Sequence, residues 1–481
     1  MATISEHFIQ HISEQGLATD ELAAFIDYCQ QPLRRSIRLN SLISNDQTTL
    51  EPWLEAGFQF EPIPWAANAY WFDQTVKSLP AGLGNYIAHQ QGQFYIQEAS
   101  SMLPVSALFA ACPNPKIVLD MAAAPGSKTT QLAAMMNNQG LIVANELSSS
   151  RLKGLFSNIQ RCGVSNVCLT HADGQVFGNK TPETFDAILL DAPCGGEGTV
   201  RKDPEALKDW DLNSVIAMSQ LQKALISSAF MALKPGGTLV YSTCTLSKEE
   251  NQQVCQHLLD SYPEQVSVFS LASLFDGAHK ALTEEGYLHI FPQIFDSEGF
   301  FVACFKKSGT TNSDPETQLP TQAQLRFPFS KIDNQNLQNF TAYAEHFAWD
   351  ISQLADNLWQ RKNEIWYFPN GIDNLIGKIK MDRMGVKLAE AHKKGFQLEH
   401  QAAIAFGQDF RANRLGLTAS ETRSFYQGRD IFPETATDNL SSEILLTYQS
   451  APIGLGKKVN NRIKNKLPRD LVRDASFARL D

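Results

Sequence analysis

Two cysteines fifty residues apart close two apolar, strand-like runs: Cys194 in FDAILLDAPCGGEGT (185–199) and Cys244 in GTLVYSTCTLSKEEN (237–251). A thiolate is a soft, strong nucleophile and a competent leaving group. Added to an electron-poor ring carbon, such as carbon 6 of cytosine, it makes carbon 5 able to take an electrophilic methyl group. Asp191, three residues before Cys194, is placed to protonate or hydrogen-bond ring nitrogen 3 and so make carbon 6 more electrophilic. Afterwards the carbon 5 proton must leave and the thiol must be expelled, which a second cysteine or a water-borne base would assist. Both cysteines precede loops or helix starts, whose N–H groups are expected to lower a thiol pKa. The cysteines at 29, 112, 162, 168, 255 and 304 are expected to be small buried hydrophobes. With no C-x-x-C pair and no His cluster, neither a disulfide framework nor a metal centre is expected.

A methyl donor needs its own pocket, and the loop DMAAAPGSKTTQ (120–131) is suited to it. A strand should end at Asp120 and a helix begin near Ser127. Between them the small residues Ala122, Ala123, Ala124, Pro125 and Gly126 let the backbone approach a ligand, while Ser127 and Lys128 open a helix with unpaired N–H groups. A phosphate-binding P-loop needs glycine five positions before Gly126, and Met121 stands there. The G-x-G-x-x-G dinucleotide pattern is absent too. A ligand with a carboxylate and no phosphate fits better, and S-adenosylmethionine qualifies. Glu146 ends the next strand and could accept both ribose hydroxyls. Asp173 ends the third and could receive an adenine amino group. Either acid alone reads equally as a helix cap; the ordered set of Asp120–Gly126, Glu146, Asp173 and Asp191 on successive strands is far more specific.

The elements that must position these residues alternate. KIVLD (116–120), GLIVANE (140–146), NVCLTHAD (166–173), FDAILLD (185–191) and GTLVYST (237–243) are β-rich runs. Helical stretches separate them, one running 213–237, and LHIFPQIFDSEGFFVACFKK (288–307) reads as a hairpin. This predicts an α/β fold, a mostly parallel sheet with an antiparallel edge, whose ligands bind at the carboxyl ends of the strands. The length of 481 residues points to about three domains. The division expected is 1–95, an N-terminal α+β segment; 96–308, the core; 309–322, a polar linker; 323–407, an α/β extension; and 408–481, a small β domain.

The chain carries a net charge of −10, so RNA contacts must come from local basic surfaces. Two stand out. Arg34, Arg35 and Arg38 lie in PLRRSIRLNSL, and arginine is the usual backbone contact. From Lys457 to the end there are eight basic residues against three acidic ones. Lys457, Lys458, Arg462, Lys464, Lys466, Arg469 and Arg473 would be the phosphate contacts there. The first residues lack the pattern of a signal peptide and no apolar run is long enough to span a bilayer, so a cytoplasmic protein is expected.

With these residues in hand, the chain resembles the RNA 5-methylcytosine methyltransferases of the Nop2/NSUN/RsmB–RsmF family. The matching segments are RSIRLNSL, YIQEASSMLP, DMAAAPGSKTTQ, ANE, DAPCGGEGT, LKPGG and YSTCT, spanning roughly 35–307. The resemblance implies a class I methyltransferase core using S-adenosylmethionine. It also implies that the cysteine of the T-C motif, here Cys244, attacks, and that Cys194 of the P-C motif aids release. Spacing alone leaves that division open. RMGVKLAEAHKKGFQLEHQAAIAF and PIGLGKKVNNRIKNKLPRDLVR resemble the tail of the ribosomal subgroup, RsmF, which implies a PUA-like RNA-binding fold and one cytosine of 16S rRNA, cytosine 1407 near the decoding centre, in the assembled small subunit. The rivals are a tRNA methyltransferase and a non-catalytic RNA-binding assembly factor. A DNA substrate is not expected, and a monomer is.

Overall fold

The computed structural model describes residues 2–473 except 18, 45–46, 74–81, 312–326, 394 and 436. Most of the linker expected at 309–322 falls outside the described residues.

Five strands run parallel at the centre: Ile117–Asp120, Leu141–Asn145, Val167–Thr170, Phe185–Asp191 and Leu233–Thr243. Each is an apolar run because both faces are covered, and the first three are buried along their whole length. The chain builds outward from Ile117–Asp120 in one direction, then returns to place Phe185–Asp191 on its other side. That reversal opens a crevice between the two strands at their carboxyl ends, where an open α/β sheet binds ligands. Phe300–Lys307 pairs antiparallel with Leu233–Thr243 and with Leu288–Ile290, giving the expected antiparallel edge. The helix Leu212–Ala232 is shorter than expected. Pro235 cannot continue a helix, so the LKPGG segment already lies in the strand Leu233–Thr243. Among the described residues, no helix is long and apolar enough to cross a membrane.

Three smaller sheets surround this core. The first is antiparallel and contains Arg35–Leu39. The helices Glu6–Glu14 and Thr19–Cys29 pack away from it: Phe8, Ile12 and Phe25 share a core with Val200, Leu207 and Leu246, beside the two cysteine loops. A five-stranded sheet follows the core, and the strand Met381–Met384 leaves it to pair antiparallel with Val167–Thr170. The extension therefore covers an edge of the central sheet that would otherwise expose unpaired backbone groups. The last sheet holds the basic region as the strands Ala451–Val459 and Arg462–Asn465.

Arg38 corrects one expectation. It is 3% exposed, its guanidinium donating to Gln97 Oε1 (3.0 Å) and Thr130 Oγ1 (2.9 Å), and burial lowers its pKa to about 10. It braces the first sheet against the helix Ser127–Met135 rather than meeting phosphate. Arg38→Ala should cost about 2–4 kcal/mol of local stability through the partners left unpaired, read as faster amide exchange around Gln97 and Thr130. The salt dependence of RNA binding should not change.

Candidate active site

The loop after Asp120 is tied on every side. Ala123 N donates to Asn145 O, Asn145 Nδ2 to Met121 O, and Asn158 Nδ2 to Pro125 O. Gly126 caps the helix at φ +105°, and a Cβ there would stand 2.9 Å from Leu155 Cδ1, so only glycine fits. Asp120 is fully buried. Thr129 Oγ1 donates to its Oδ2, but its Oδ1 has no partner, and burial pushes its pKa up to about 7. A ligand bearing a cationic amino group would satisfy that atom. Glu146, 3% exposed, accepts from Ala124 N and Ser148 N and meets Arg151 at 3.4 Å. A carboxylate pinned beside the loop and an unsatisfied acid beneath it fit S-adenosylmethionine. Asp173 is exposed and caps the turn that follows it, accepting from Gln175 N at 3.0 Å.

Lys128 is placed differently from its expected role beside the cofactor. Its ammonium reaches across the switch point to Asp191 Oδ2 at 2.7 Å, while Ser242 Oγ donates to Oδ1 at 2.7 Å. The helix that starts the cofactor loop thus holds the carboxylate beside the cysteines. Burial works against the Lys128 charge, yet Asp191 outweighs it and holds the pKa up. The ammonium also lies 5.4 Å from the Phe300 ring centroid.

Cys194 and Cys244 meet with sulfurs 3.3 Å apart. The expectation that N–H groups lower both thiols fails at Cys194: its hydrogen bond with Cys244, then burial, raise its pKa well above the ordinary value. Cys194 therefore keeps its proton at neutral pH. Of the other cysteines, Cys112 is half-buried and the rest are buried, as small hydrophobes are.

Two glutamates that carried no role in the sequence reading hold the pair together. Glu197, from the Cys194 loop, is fully buried and accepts from Leu246 N (2.8 Å), Ser247 N (2.7 Å), Ser247 Oγ (2.6 Å) and Trp210 Nε1 (2.6 Å). Glu250, beyond Cys244, reaches back to accept from Gly195 N (3.0 Å) and Gln222 Nε2 (2.6 Å). Each cysteine loop thus supplies the acceptor for the other. Both residues lie inside quoted motifs, GGEGT and SKEEN, but a carboxylate in a loop reads from sequence as solvated.

Burial pushes Glu250 up to about 7. A carboxyl group whose pKa is raised in the folded state contributes most below its unfolded pKa and loses that contribution as pH rises through the folded one. The Glu250 contribution is therefore full below pH ~4.5 and lost through pH ~7. Wild type should lose up to about 3 kcal/mol of local stability between pH 5 and 8 relative to Glu250→Gln, read from amide exchange at Gly195 and Thr245. Parallel pH profiles would refute it.

The expected RNA contacts are dispersed. Arg34 pairs with Glu61 at 2.6 Å and lies over Trp71; Arg35 is exposed on the same strand. In the last sheet Arg462 pairs with Asp430, and Lys458 donates to Thr437 O. Lys457 and Lys464 face each other across the hairpin, both exposed, and Lys457 and Lys466 share a cleft of about 570 Å³ with His392 and Lys393. Arg469 and Arg473 are exposed beyond it.

Four family descriptions match in chain order. They are the N-terminal domain of 16S rRNA methyltransferase RsmF (4–99), 16S rRNA methyltransferase RsmB/F (107–306), the pre-PUA domain of ribosomal RNA small subunit methyltransferase F (329–406), and the methyltransferase RsmF PUA domain (412–473). Ribosomal RNA small subunit methyltransferase F of Citrobacter koseri is 49% identical over 473 residues, covering 98% of this chain and 97% of its own. The Vibrio vulnificus protein of that name is also 49% identical, covering 98% of each chain. Among solved structures, a methyltransferase homolog protein from Pyrococcus horikoshii is 33% identical over 63% of this chain and 100% of its own, with a TM-score of 0.50. NSun6 from Pyrococcus horikoshii, solved with SFG, is 22% identical over 64% and 99%, with a TM-score of 0.55, and shows the fold alone.

Proposed function

Because the chain belongs to the ribosomal RNA small subunit methyltransferase F family and is an rRNA cytosine-C5 methyltransferase, we propose that it methylates cytosine 1407 of 16S rRNA in the assembled small subunit through a covalent bond to Cys244. The two sulfurs 3.3 Å apart beside the Lys128–Asp191 pair carry this reading. The Cys244 thiolate adds to carbon 6 while Asp191, held by Lys128 and Ser242, hydrogen-bonds the nitrogen 3 side of the ring. S-adenosylmethionine, held by the Ala122–Lys128 loop with Glu146 and Asp173, supplies the electrophilic methyl group. Loss of the carbon 5 proton then expels the Cys244 thiolate and restores the aromatic ring. The raised pKa of Cys194 supports the division of roles: a thiol that keeps its proton can donate to the departing sulfur and is poorly placed to attack.

The domains divide the work. The core 96–308 receives a base flipped from its stack, at a cost of a few kcal/mol that contacts from 1–95, 323–407 and 408–481 offset. The protein acts as a monomer in the cytoplasm. Replacing Lys457, Lys464 and Lys466 by Ala should weaken rRNA binding and flatten its salt dependence by roughly 0.7–0.9 log units per lost contact, with S-adenosylmethionine affinity unchanged. An unchanged slope would remove the hairpin from the RNA surface.

The deciding measurement is transfer of labelled methyl to intact small subunits, naked 16S rRNA and bulk tRNA. Labelling confined to small subunits and mapped to cytosine 1407 supports the reading. Labelling of tRNA alone overturns the substrate, and S-adenosylmethionine binding without transfer would favour an assembly factor.

A further inference from the structure

A cleft of about 590 Å³ lies at the seam between the central sheet and the extension, on the side remote from the cysteines. Its walls come from the core helix Ser149–Arg161, which gives Phe156, and from the extension, which gives Phe329, Arg361, Trp366, Lys380 and Arg383. Its volume suits a small ligand. Three cations face one carboxylate, Asp382, across it, in a chain whose net charge is −10.

Two of the cations are flat and already braced. The Arg383 guanidinium lies 3.8 Å over the Phe156 ring, and that of Arg361 lies 4.8 Å over Phe329 and 5.5 Å from Trp366. Yet Arg383 is 52% and Arg361 38% exposed, so each keeps surface toward the cleft. A guanidinium held on an aromatic ring is a preformed plane on which an unpaired base stacks, and it is more weakly hydrated than an ammonium. Lys380, exposed at the rim, is a point charge suited to phosphate.

Position ties the cleft to the reaction. Met381 pairs with Thr170, the last residue of its strand, so the chain enters this seam at the carboxyl edge of the sheet. The strand bearing Asp191 lies three strands away, roughly 14 Å at the usual inter-strand spacing.

We propose that this cleft docks one unstacked nucleotide of the rRNA substrate, its base on the Arg383 and Arg361 planes and its phosphate on Lys380. The proposal rests on the rRNA reading above. It assigns the extension a direct part in holding substrate, beyond covering the sheet edge.

The test uses the full chain with Lys380→Ala and Arg383→Ala combined. The KM for rRNA should rise roughly ten- to hundredfold, the range that loss of one stacked base allows. Its salt slope should flatten by about 1.5 log units for two lost cations, while kcat at saturating rRNA and S-adenosylmethionine affinity hold. Arg383→Lys separates stacking from charge: the slope should stay and the KM still rise. An unchanged KM and slope overturn the proposal. So does a raised KM accompanied by faster amide exchange across 381–384, which would place the effect in the edge strand. Wild type unable to methylate any rRNA would sink the underlying reading, and that failure is told apart because it precedes any substitution.

Discussion

Cys244→Ala should abolish methyl transfer, with a loss on the order of 10⁴-fold or more, the scale of removing a nucleophile from a set of residues that act together. The S-adenosylmethionine site lies on other strands, so cofactor binding should survive. Cys194→Ala should behave differently. Addition through Cys244 can still occur, but the thiol that lies 3.3 Å away and carries the proton is gone. The departing sulfur then lacks its donor, and a protein–RNA adduct resistant to denaturants should accumulate. Electrophoresis under denaturing conditions with labelled rRNA distinguishes the two variants. An adduct in Cys244→Ala, or none in Cys194→Ala while Cys244→Ala is dead, would reverse or dissolve the assigned roles. The double variant should form no adduct.

Glu197→Ala should open the active site from beneath. Four hydrogen bonds converge on that buried carboxylate, two of them from the backbone just past Cys244. Its removal leaves Leu246 N, Ser247 N and Trp210 Nε1 without acceptors in a dry setting, each costing about 1–3 kcal/mol, with neighbouring losses not additive. A local destabilisation of about 3–5 kcal/mol is expected. In a chain with several cores this appears as a regional opening rather than a shift of one global transition. Amides of Leu246 and Ser247 should lose protection by two to three orders of magnitude, and methyl transfer should fall with them. Glu197→Gln offers one acceptor oxygen in place of two and should fall between. Retained protection in Glu197→Ala would mean that the packing of Leu246 against Phe8, Phe25 and Val200 holds the loop without it.

The parts of this architecture that follow from local rules were legible in the chain. Strands such as Ile117–Asp120 and Leu141–Asn145 are buried on both faces, so their sequences are unbroken apolar runs. Helix starts announce themselves through small or capping residues, as at Gly126 and at Asp211, whose side chain caps the helix Leu212–Ala232. Cys194, Cys244, Asp191, Glu146 and Asp173 were legible as chemistry-bearing groups beside such strand ends because the fold class puts ligands there.

Arg38, Lys128, Glu197 and Glu250 were not legible, for one physical reason. A charged side chain in a sequence gives no sign of whether it will face water or a partner brought from far along the chain. Arg38 meets Thr130, ninety-two residues on; Lys128 meets Asp191, sixty-three on; Glu250 meets Gly195, fifty-five back. Nor does sequence reveal that Met381–Met384 would leave its own sheet to complete another. By itself the sequence determined the α/β class, the order of its strands along the chain and the identity of the thiols, because periodicity and residue chemistry are local. The tertiary structure alone decided that the thiols meet, that Cys194 holds its proton, and which charges are committed to one another. Burial and pairing depend on the distance between atoms, and only the folded chain sets that distance.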